Sequence, residues 1–391
     1  MNHAMPAKKE LRIAILGYNF MGKAHSNAWL QAARFFDLPL RPVLQVACGR
    51  SEGAVRAFAD TWGWKEVETD WRKVIARDDV DVVDISLPQH LHHEVAIAAA
   101  RAGKHLFCEK PMALTVADAE AMLCEAERAK VVHYVNHNYR RTPAVRLARQ
   151  FIEEGKIGRI FHWRGAYQQD WIVDPNFPLT WQLRKETAGS GPHHDLNSHS
   201  VDLAHYLVGD ITSVSCLTAS FIKERPLPSD GATAFAAGAG GGTTRGAVTV
   251  EDASLMMVEF ANGAVGSFEA TRFAPGRKNR NSFEIYGSEG ALVFDLERMN
   301  ELQFHSRHDP AHAQGFRTVL ATESCHPYIK HWWPPGHVIG YEHAFTHGVV
   351  DFVGAVANGT PLEPNFRDGV KCIRVLEAAL KSAANGRKEL I

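Results

Sequence analysis

Asp195-Leu196-Asn197-Ser198-His199 places a carboxylate four residues ahead of an imidazole, which on a helix stands both on one face, with Asp202 continuing the stripe. A neighbouring carboxylate stabilises imidazolium and tunes a histidine as a proton acceptor. The same residues also suit a bland arrangement, with Asp195 as a helix-initiating cap and His199 as an ordinary i+4 partner.

A second stretch, Gly17-Tyr18-Asn19-Phe20-Met21-Gly22, lies between a strand pattern and a helix pattern, where a dinucleotide fold places its glycine-rich phosphate turn. The middle glycine of that turn is here Asn19, a residue that tolerates left-handed φ. A plain strand-to-helix turn is the competing reading. At the tip of the second strand a dinucleotide site carries an acid for the ribose hydroxyls or a cation for a 2′-phosphate. Here the tip reads Cys48-Gly49-Arg50-Ser51, which leans towards a 2′-phosphate and so towards NADP, although an exposed loop arginine is commonly just solvated.

Cys108-Glu109-Lys110-Pro111 ends a further strand pattern. Ligands of doubly wound sheets gather outside the carboxyl ends of the strands, so a lysine there can reach the cofactor's reactive ring. A surface lysine before a helix-terminating proline is the alternative. Trp332-Trp333-Pro334-Pro335-Gly336-His337 reads as a shaped loop that could bind a sugar, or as a proline-stiffened packing loop. Among the 21 histidines, the His90, His92 and His93 group, the His193–His194 pair and the His343/His347 pair lack a cysteine or acid at recognised ligand spacing, so no metal is expected.

These residues need elements to position them. Strand candidates Arg12–Leu16, Val43–Ala47, Val80–Ser86, His105–Glu109 and Val131–Val135 alternate with helical patterns, which implies βαβ units and a parallel sheet. Small residues Ala24, Ala28 and Ala32 repeat at steps of four on the first helix, and Gly103 caps a later one. Thr142-Pro143 opens a helix ending before Gly155. The expected domains are 1–140, a nucleotide-binding unit, and 141–391. In the second, closely spaced strands at Ser254–Phe260, Ala264–Thr271, Ser282–Tyr286, Ala291–Asp295 and Glu301–His305 predict an antiparallel meander. Asn262-Gly263 suits a type I′ hairpin turn. The Gly- and Ala-rich stretch from Pro226 to Gly246 predicts a loop excursion, and Phe345, Val349, Phe352 and Val356 predict a C-terminal helix.

Composition narrows the function classes. The 391 residues carry 43 basic and 44 acidic side chains, a balance that offers no footprint for nucleic acid or an anionic membrane. The six scattered cysteines form no disulfide framework or C-x-x-C pair, pointing to a reducing cytoplasm. The short apolar run Ile13–Leu16 is neither a signal-peptide core nor a membrane span.

The sequence resembles the Gfo/Idh/MocA family, the glucose-fructose oxidoreductase and inositol dehydrogenase group, from Leu11 to about Asn385. The resemblance rests on the Gly17–Gly22 turn, Pro88 with His92 and Glu94, the Ala102-Gly103-Lys104-His105 run leading into Glu109-Lys110-Pro111, and Asp195 with His199. Within the family, Gly22-Lys23-Ala24-His25-Ser26, Tyr139-Arg140-Arg141-Thr142-Pro143, Pro178–Trp181, Ala188–Gly191 and Phe260–Arg272 resemble pyranoside 3-dehydrogenases. Gln182, where that branch usually has arginine, and His193-His194 depart from its pattern and imply a different substrate pocket.

The resemblance implies an α/β chain, with an N-terminal Rossmann domain and a C-terminal α/β domain built on a large open, mainly antiparallel sheet. It implies NAD or NADP held by Gly17–Gly22, Arg50, Ser51, Leu87, Pro88, His92, Glu109, Lys110 and Asn138. It assigns catalysis to Lys110, Asp195 and His199, and a sugar, anhydrosugar or cyclitol substrate to a pocket that adds Tyr139, Arg140, Trp181 and His337. A homodimer or homotetramer follows from the same resemblance. A redox-neutral epimerase, lyase or glycosidase that uses NAD transiently fits the same residues. A non-catalytic nucleotide sensor fits less well, since it has no need of a proton-transfer set.

Overall fold

The computed structural model describes residues 8–228 and 244–391. The described residues form two compact units: one comprises residues 8–113, 117–141 and 339–370, the other residues 114–116, 142–228, 244–338 and 371–391. This division departs from a single cut near Arg140, because a C-terminal segment returns to the first unit. The reason is burial. The helix Tyr341–Asn358 carries Phe352, whose ring lies 6.2 Å from Trp29 and 5.3 Å from Phe107, and all three side chains are sealed from solvent.

The first unit is a Rossmann-type domain. Its elements run β1 (Glu10–Leu16), α1 (Phe20–Phe35), β2 (Arg41–Cys48), α2 (Glu52–Trp62), β3 (Glu66–Glu68), α3 (Trp71–Ile75), β4 (Val82–Ile85), α4 (His92–Arg101), β5 (His105–Cys108), α5 (Val116–Ala129) and β6 (His133–Val135). The strands form a parallel sheet in the order β3-β2-β1-β4-β5-β6. The order reverses at β1, which opens the crevice where such sheets bind ligands. Val82 to Ile85 are all buried, as a strand covered on both faces requires. The alanine face expected on α1 is there in Ala28 and Ala32, but His25 and Trp29 share the burial. The short β3 and α3 were not legible as periodic runs.

The second unit has elements α6 (Pro143–Glu153), β7 (Ile160–Gln168), α7 (Lys185–Ala188), α8 (Pro192–Asp195), α9 (Asn197–Leu207), β8 (Ile211–Ala219), β9 (Glu224–Pro226), β10 (Arg245–Ala247), β11 (Ala253–Phe260), β12 (Val265–Thr271), β13 (Arg280–Gly287), β14 (Gly290–Asp295), β15 (Glu301–Ser306) and β16 (Arg317–Leu320). After α10, the Tyr341–Asn358 helix of the first unit, come α11 (Phe366–Asn385) and β17 (Glu389–Leu390). A nine-stranded, mostly antiparallel sheet runs β16-β15-β14-β13-β7-β12-β11-β8-β17.

Three local expectations change. The meander is interrupted: β7 sits between β12 and β13, parallel to the first and antiparallel to the second. Trp163 of β7 explains the insertion, since its fully buried ring lies 6.0 Å from Phe268 and 5.3 Å from Phe283 on the neighbouring strands.

The Asn262-Gly263 turn is not type I′, because only Gly263 takes positive φ (85°). Gly263 N donates to Phe260 O at 2.9 Å, and Ala264 N donates to the Asn262 side chain at 3.0 Å. These bonds make a three-residue loop with a left-handed glycine at its end. The excursion expected over 226–246 has its middle, 229–243, outside the described residues, and its ends pair antiparallel as β9 and β10.

Candidate active site

In the first unit the glycine turn is a steric cradle. Gly17 takes φ 110°, and a Cβ there would lie 2.4 Å from Ser86 O; a Cβ on Gly22 would lie 2.3 Å from Gly17 O. Neither position accepts a side chain without moving backbone. Asn19 does not need the left-handed tolerance expected of it: its φ is −80°, and it is the N-cap of α1 with no side-chain cap bond. The first turn of α1 therefore points its amides at the tip of β1, the arrangement that binds a pyrophosphate. Tyr18 lies across Gly49, where any Cβ would fall 2.1 Å from the ring. Arg50 and Ser51 are exposed beyond it, and Ser51 N-caps α2 without a side-chain bond.

Other residues expected at the cofactor divide into presenters and braces. Leu87 and Pro88 form the half-buried turn after β4. His92 is fully buried, with Nδ1 3.1 Å from Pro111 O and Nε2 2.9 Å from Leu87 O, and burial pushes its imidazole down from 6.5. It braces the turns after β4 and β5 rather than facing a ligand. Glu109 is also a brace. Its Oε1 accepts from Asn136 at 2.6 Å and lies 2.9 Å from His25 Nε2, while Oε2 accepts from Lys110 N at 3.1 Å.

Lys110 follows at the end of β5, and Asn138 stands beyond β6 with its Nδ2 buried and lacking a hydrogen-bond partner. The cradle and this orphaned donor, both at the carboxyl ends of the strands, fit a dinucleotide with a polar head group.

Tyr139 and Arg140 are buried. Arg140 pairs with Asp368 at 3.2 Å, which makes it an interior ion pair rather than an open sugar contact. Its charge acts on a neighbour that the sequence did not reveal. His137, wholly buried, is held down to about 3 by burial, with Arg140 and Lys110 adding repulsion. Tyr341 was also missed: its ring lies 6.3 Å from Phe20 in the phosphate turn and 6.5 Å from Tyr139. Only its place at the N-terminus of α10, more than 200 positions away, brings it there.

In the second unit the acid and the imidazole stand at a helix corner. Pro192 starts α8, which ends at Asp195, and Leu196 separates it from α9. His199 N donates to Leu196 O at 3.1 Å, a tight first turn. The two residues thus belong to two helices rather than one stripe. α9 is also not amphipathic, since Ser198, His199, Ser200 and Asp202 are buried along with its apolar residues.

The imidazole of His199 lies 5.7 Å from the Tyr167 ring of β7. Asp195 Oδ2 accepts from Arg272 Nη2. That arginine is itself buried, with its guanidinium 5.1 Å over the Trp171 ring. Nothing in local spacing linked Arg272 to Asp195, which lies 77 positions away.

Trp181 is partly exposed on a short 3₁₀ turn, while its neighbour Gln182 is buried with Oε1 lacking a hydrogen-bond partner. His193 does not line a pocket: its ring nitrogens lie 2.9 Å from Ser254 Oγ and 2.9 Å from Leu376 O. His337 is exposed, and its ring is 2.9 Å from the Pro334 carbonyl of its own loop. Among the described residues no group of three or more His, Cys, Asp or Glu is placed to hold a metal ion, and no helix is long and apolar enough to cross a membrane.

Residues 11–137 match the model of an oxidoreductase family with an NAD-binding Rossmann fold, and residues 145–293 match the GFO/IDH/MocA C-terminal domain. The chain is 45% identical to the levoglucosan dehydrogenase of Pseudarthrobacter phenanthrenivorans over 96% of its length and 97% of the relative's. An oxidoreductase domain protein from Kribbella flavida superposes with a TM-score of 0.93 at 50% identity, covering 98% of this chain and 99% of that one. A levoglucosan dehydrogenase in complex with NADH and L-sorbose does so with a TM-score of 0.93 at 43% identity and the same coverage.

Proposed function

The chain belongs to the Gfo/Idh/MocA family of oxidoreductases, and from that membership we propose that it is an NAD-dependent dehydrogenase of the secondary hydroxyls of sugars, anhydrosugars or cyclitols, with C3 of a pyranoside as the reacting centre. The observation that carries the proposal is the corner of α8 and α9, where a carboxylate held by a buried arginine lies four residues before an imidazole that stands 5.7 Å from an aromatic ring. Oxidising a carbinol requires a place for the hydroxyl proton as well as for the hydride. The nicotinamide, when bound, accepts the hydride and not the proton.

Lys110 hydrogen-bonds the substrate oxygen and polarises it. His199 takes the hydroxyl proton on its imidazole, and Asp195, anchored through Oδ2 by Arg272, stabilises the imidazolium that forms. Gly17 to Gly22 and the first turn of α1 would hold the pyrophosphate of the dinucleotide, and Asn138, whose Nδ2 lacks a hydrogen-bond partner, would supply a polar contact to it. Trp181 offers a flat face for the C–H surface of a sugar ring. The relatives in complex with NADH favour NAD, so Arg50 acts as a solvated loop arginine.

The nine-stranded sheet supports assembly with a second copy of the chain. Leu217 pairs across strands with Leu255, and both are exposed along with Met257 on the face that also shows Arg164, Glu269, Arg280 and Glu284. Interspersed charges of both signs around an apolar centre suit a self-complementary two-fold contact. A scattering mass equal to one chain overturns this assembly. The six free cysteines suit a reducing compartment, the cytoplasm.

The test of the activity is the absorbance of reduced nicotinamide when the protein meets NAD or NADP with pyranosides, anhydrosugars and inositols. A rise with one sugar class and with NAD supports a dehydrogenase. No rise, together with tight cofactor binding by fluorescence, replaces it with the redox-neutral alternative.

A further inference from the structure

Behind Lys110 lies a buried charge cluster that the proton-transfer set does not use. His25, on α1 one turn past Gly22, has Nδ1 2.7 Å from Asp84 Oδ1 and Nε2 2.9 Å from Glu109 Oε1, with all three side chains sealed from solvent. Asp84 comes from β4 and also accepts from Trp29 Nε1 at 2.8 Å; Glu109 follows β5 and also accepts from Asn136 beyond β6 at 2.6 Å. Ionised carboxylates only accept hydrogen bonds. A neutral imidazole would therefore aim a lone pair at one of them, while an imidazolium satisfies both. Burial alone would push the imidazole down, but the two carboxylates outweigh it and raise it to about 10. The rings of Phe107 and Phe345, 5.3 and 5.7 Å away, exclude water.

We propose that His25 is a positioning residue of the hydride-transfer site: bridging Asp84 and Glu109, it ties the helix that follows the phosphate turn to the strand end that carries Lys110. The mechanical link is short. Glu109 Oε2 accepts from the backbone N–H of Lys110, so clamping the carboxylate clamps the backbone from which the lysine departs. His25 contributes the cation that touches both buried anions. Without it, two carboxylates face each other in a water-poor interior, and one must take up a proton. The other titratable groups acting on the cluster are Lys110, which favours ionised Glu109, and the neutral His92, His137 and Cys108, on which burial weighs most.

The kinetic part of this inference rests on the dehydrogenase reading, and the spectroscopic part does not. In ¹⁵N-histidine NMR of the NADH-bound protein, one imidazolium should persist at pH 8.5 and disappear in His25→Gln; a neutral His25 at that pH overturns the proposal. If His25→Gln does not fold, Asp84→Asn serves, since removing one anion should bring the same signal's titration down. For turnover, His25→Gln should lower kcat about tenfold, leave NADH affinity within about threefold, and add an ionisation to the kcat–pH profile.

The double variant His25→Gln/Asp84→Asn restores the cluster's charge and should remove that ionisation and recover most of kcat. Equal impairment of single and double variants would mean a packing role only and would overturn the proposal, as would an unaltered single variant. A wild-type protein that oxidises no sugar sinks the dehydrogenase reading alone, and the NMR result still decides His25.

Discussion

Arg272 and Asp195 form an ion pair in which the arginine is the buried partner: its side chain is 1% exposed, against 32% for the carboxylate. The charge that water cannot reach is thus matched by one that lies at the edge of the site. The pair commits Asp195 Oδ2, so the carboxylate has a fixed orientation.

Replacing Arg272 with Met should therefore lower kcat by about 10- to 100-fold, the scale of a misplaced catalytic group, with a smaller change in KM. Sugar kinetics at saturating NAD check this. A variant that changed only KM would show that the Arg272 pair with Asp195 serves sugar binding rather than turnover.

His199→Ala should reduce kcat by about 10²–10⁴-fold, the range for a lost general base, while NADH still binds with unchanged fluorescence. Near-normal turnover would remove the imidazole from the proton path.

Buried histidines contribute to the acid limit of stability, beside ion-paired carboxylates such as Asp79. Burial, the largest cause in each, holds His133 down to about 4 and His137 and His194 down to about 3, from 6.5. Below pH 6.5 the unfolded chain binds protons that the folded chain does not, so their contribution is lost as pH falls from about 6.5 towards those values. His25 has the opposite sign: raised to about 10, it contributes fully below pH 6.5 and its contribution fades as pH rises towards 10. Denaturant melts from pH 4 to 10 should give a maximum between the two flanks, and His25→Gln should flatten the alkaline one.

Phe352→Ala should cost about 3–5 kcal/mol, as for other large-to-small changes in sealed cores, because its ring contacts both Trp29 and Phe107. Chemical denaturation measures this. A cost below about 1 kcal/mol would mean that α10 adds little to the first unit.

Local chemistry made much of the molecule legible. The glycines at 17 and 22 stand where backbone would otherwise collide, and a residue type with no side chain is a local signal. Alternating apolar runs marked five of the six parallel strands, while the three-residue β3 was too short to have a period. The Asn262-Gly263 dipeptide marked a hairpin but not its type, because dihedral choice depends on the register of the flanking strands.

What the sequence by itself determined was the order of elements, the phosphate turn, and the residue types able to move a proton or polarise an oxygen, since periodicity and backbone sterics act over a few neighbouring residues. Tertiary structure alone decided which of those residues are buried braces. His92, Glu109, Arg140 and His193 are polar by type and buried by position, and their partners lie on other elements. Likewise, Arg272 reaches Asp195 and His25 reaches Glu109 across 77 and 84 positions. Charge pairing in a low-dielectric interior depends on distance in space, and only the packing of sheets against helices sets that distance.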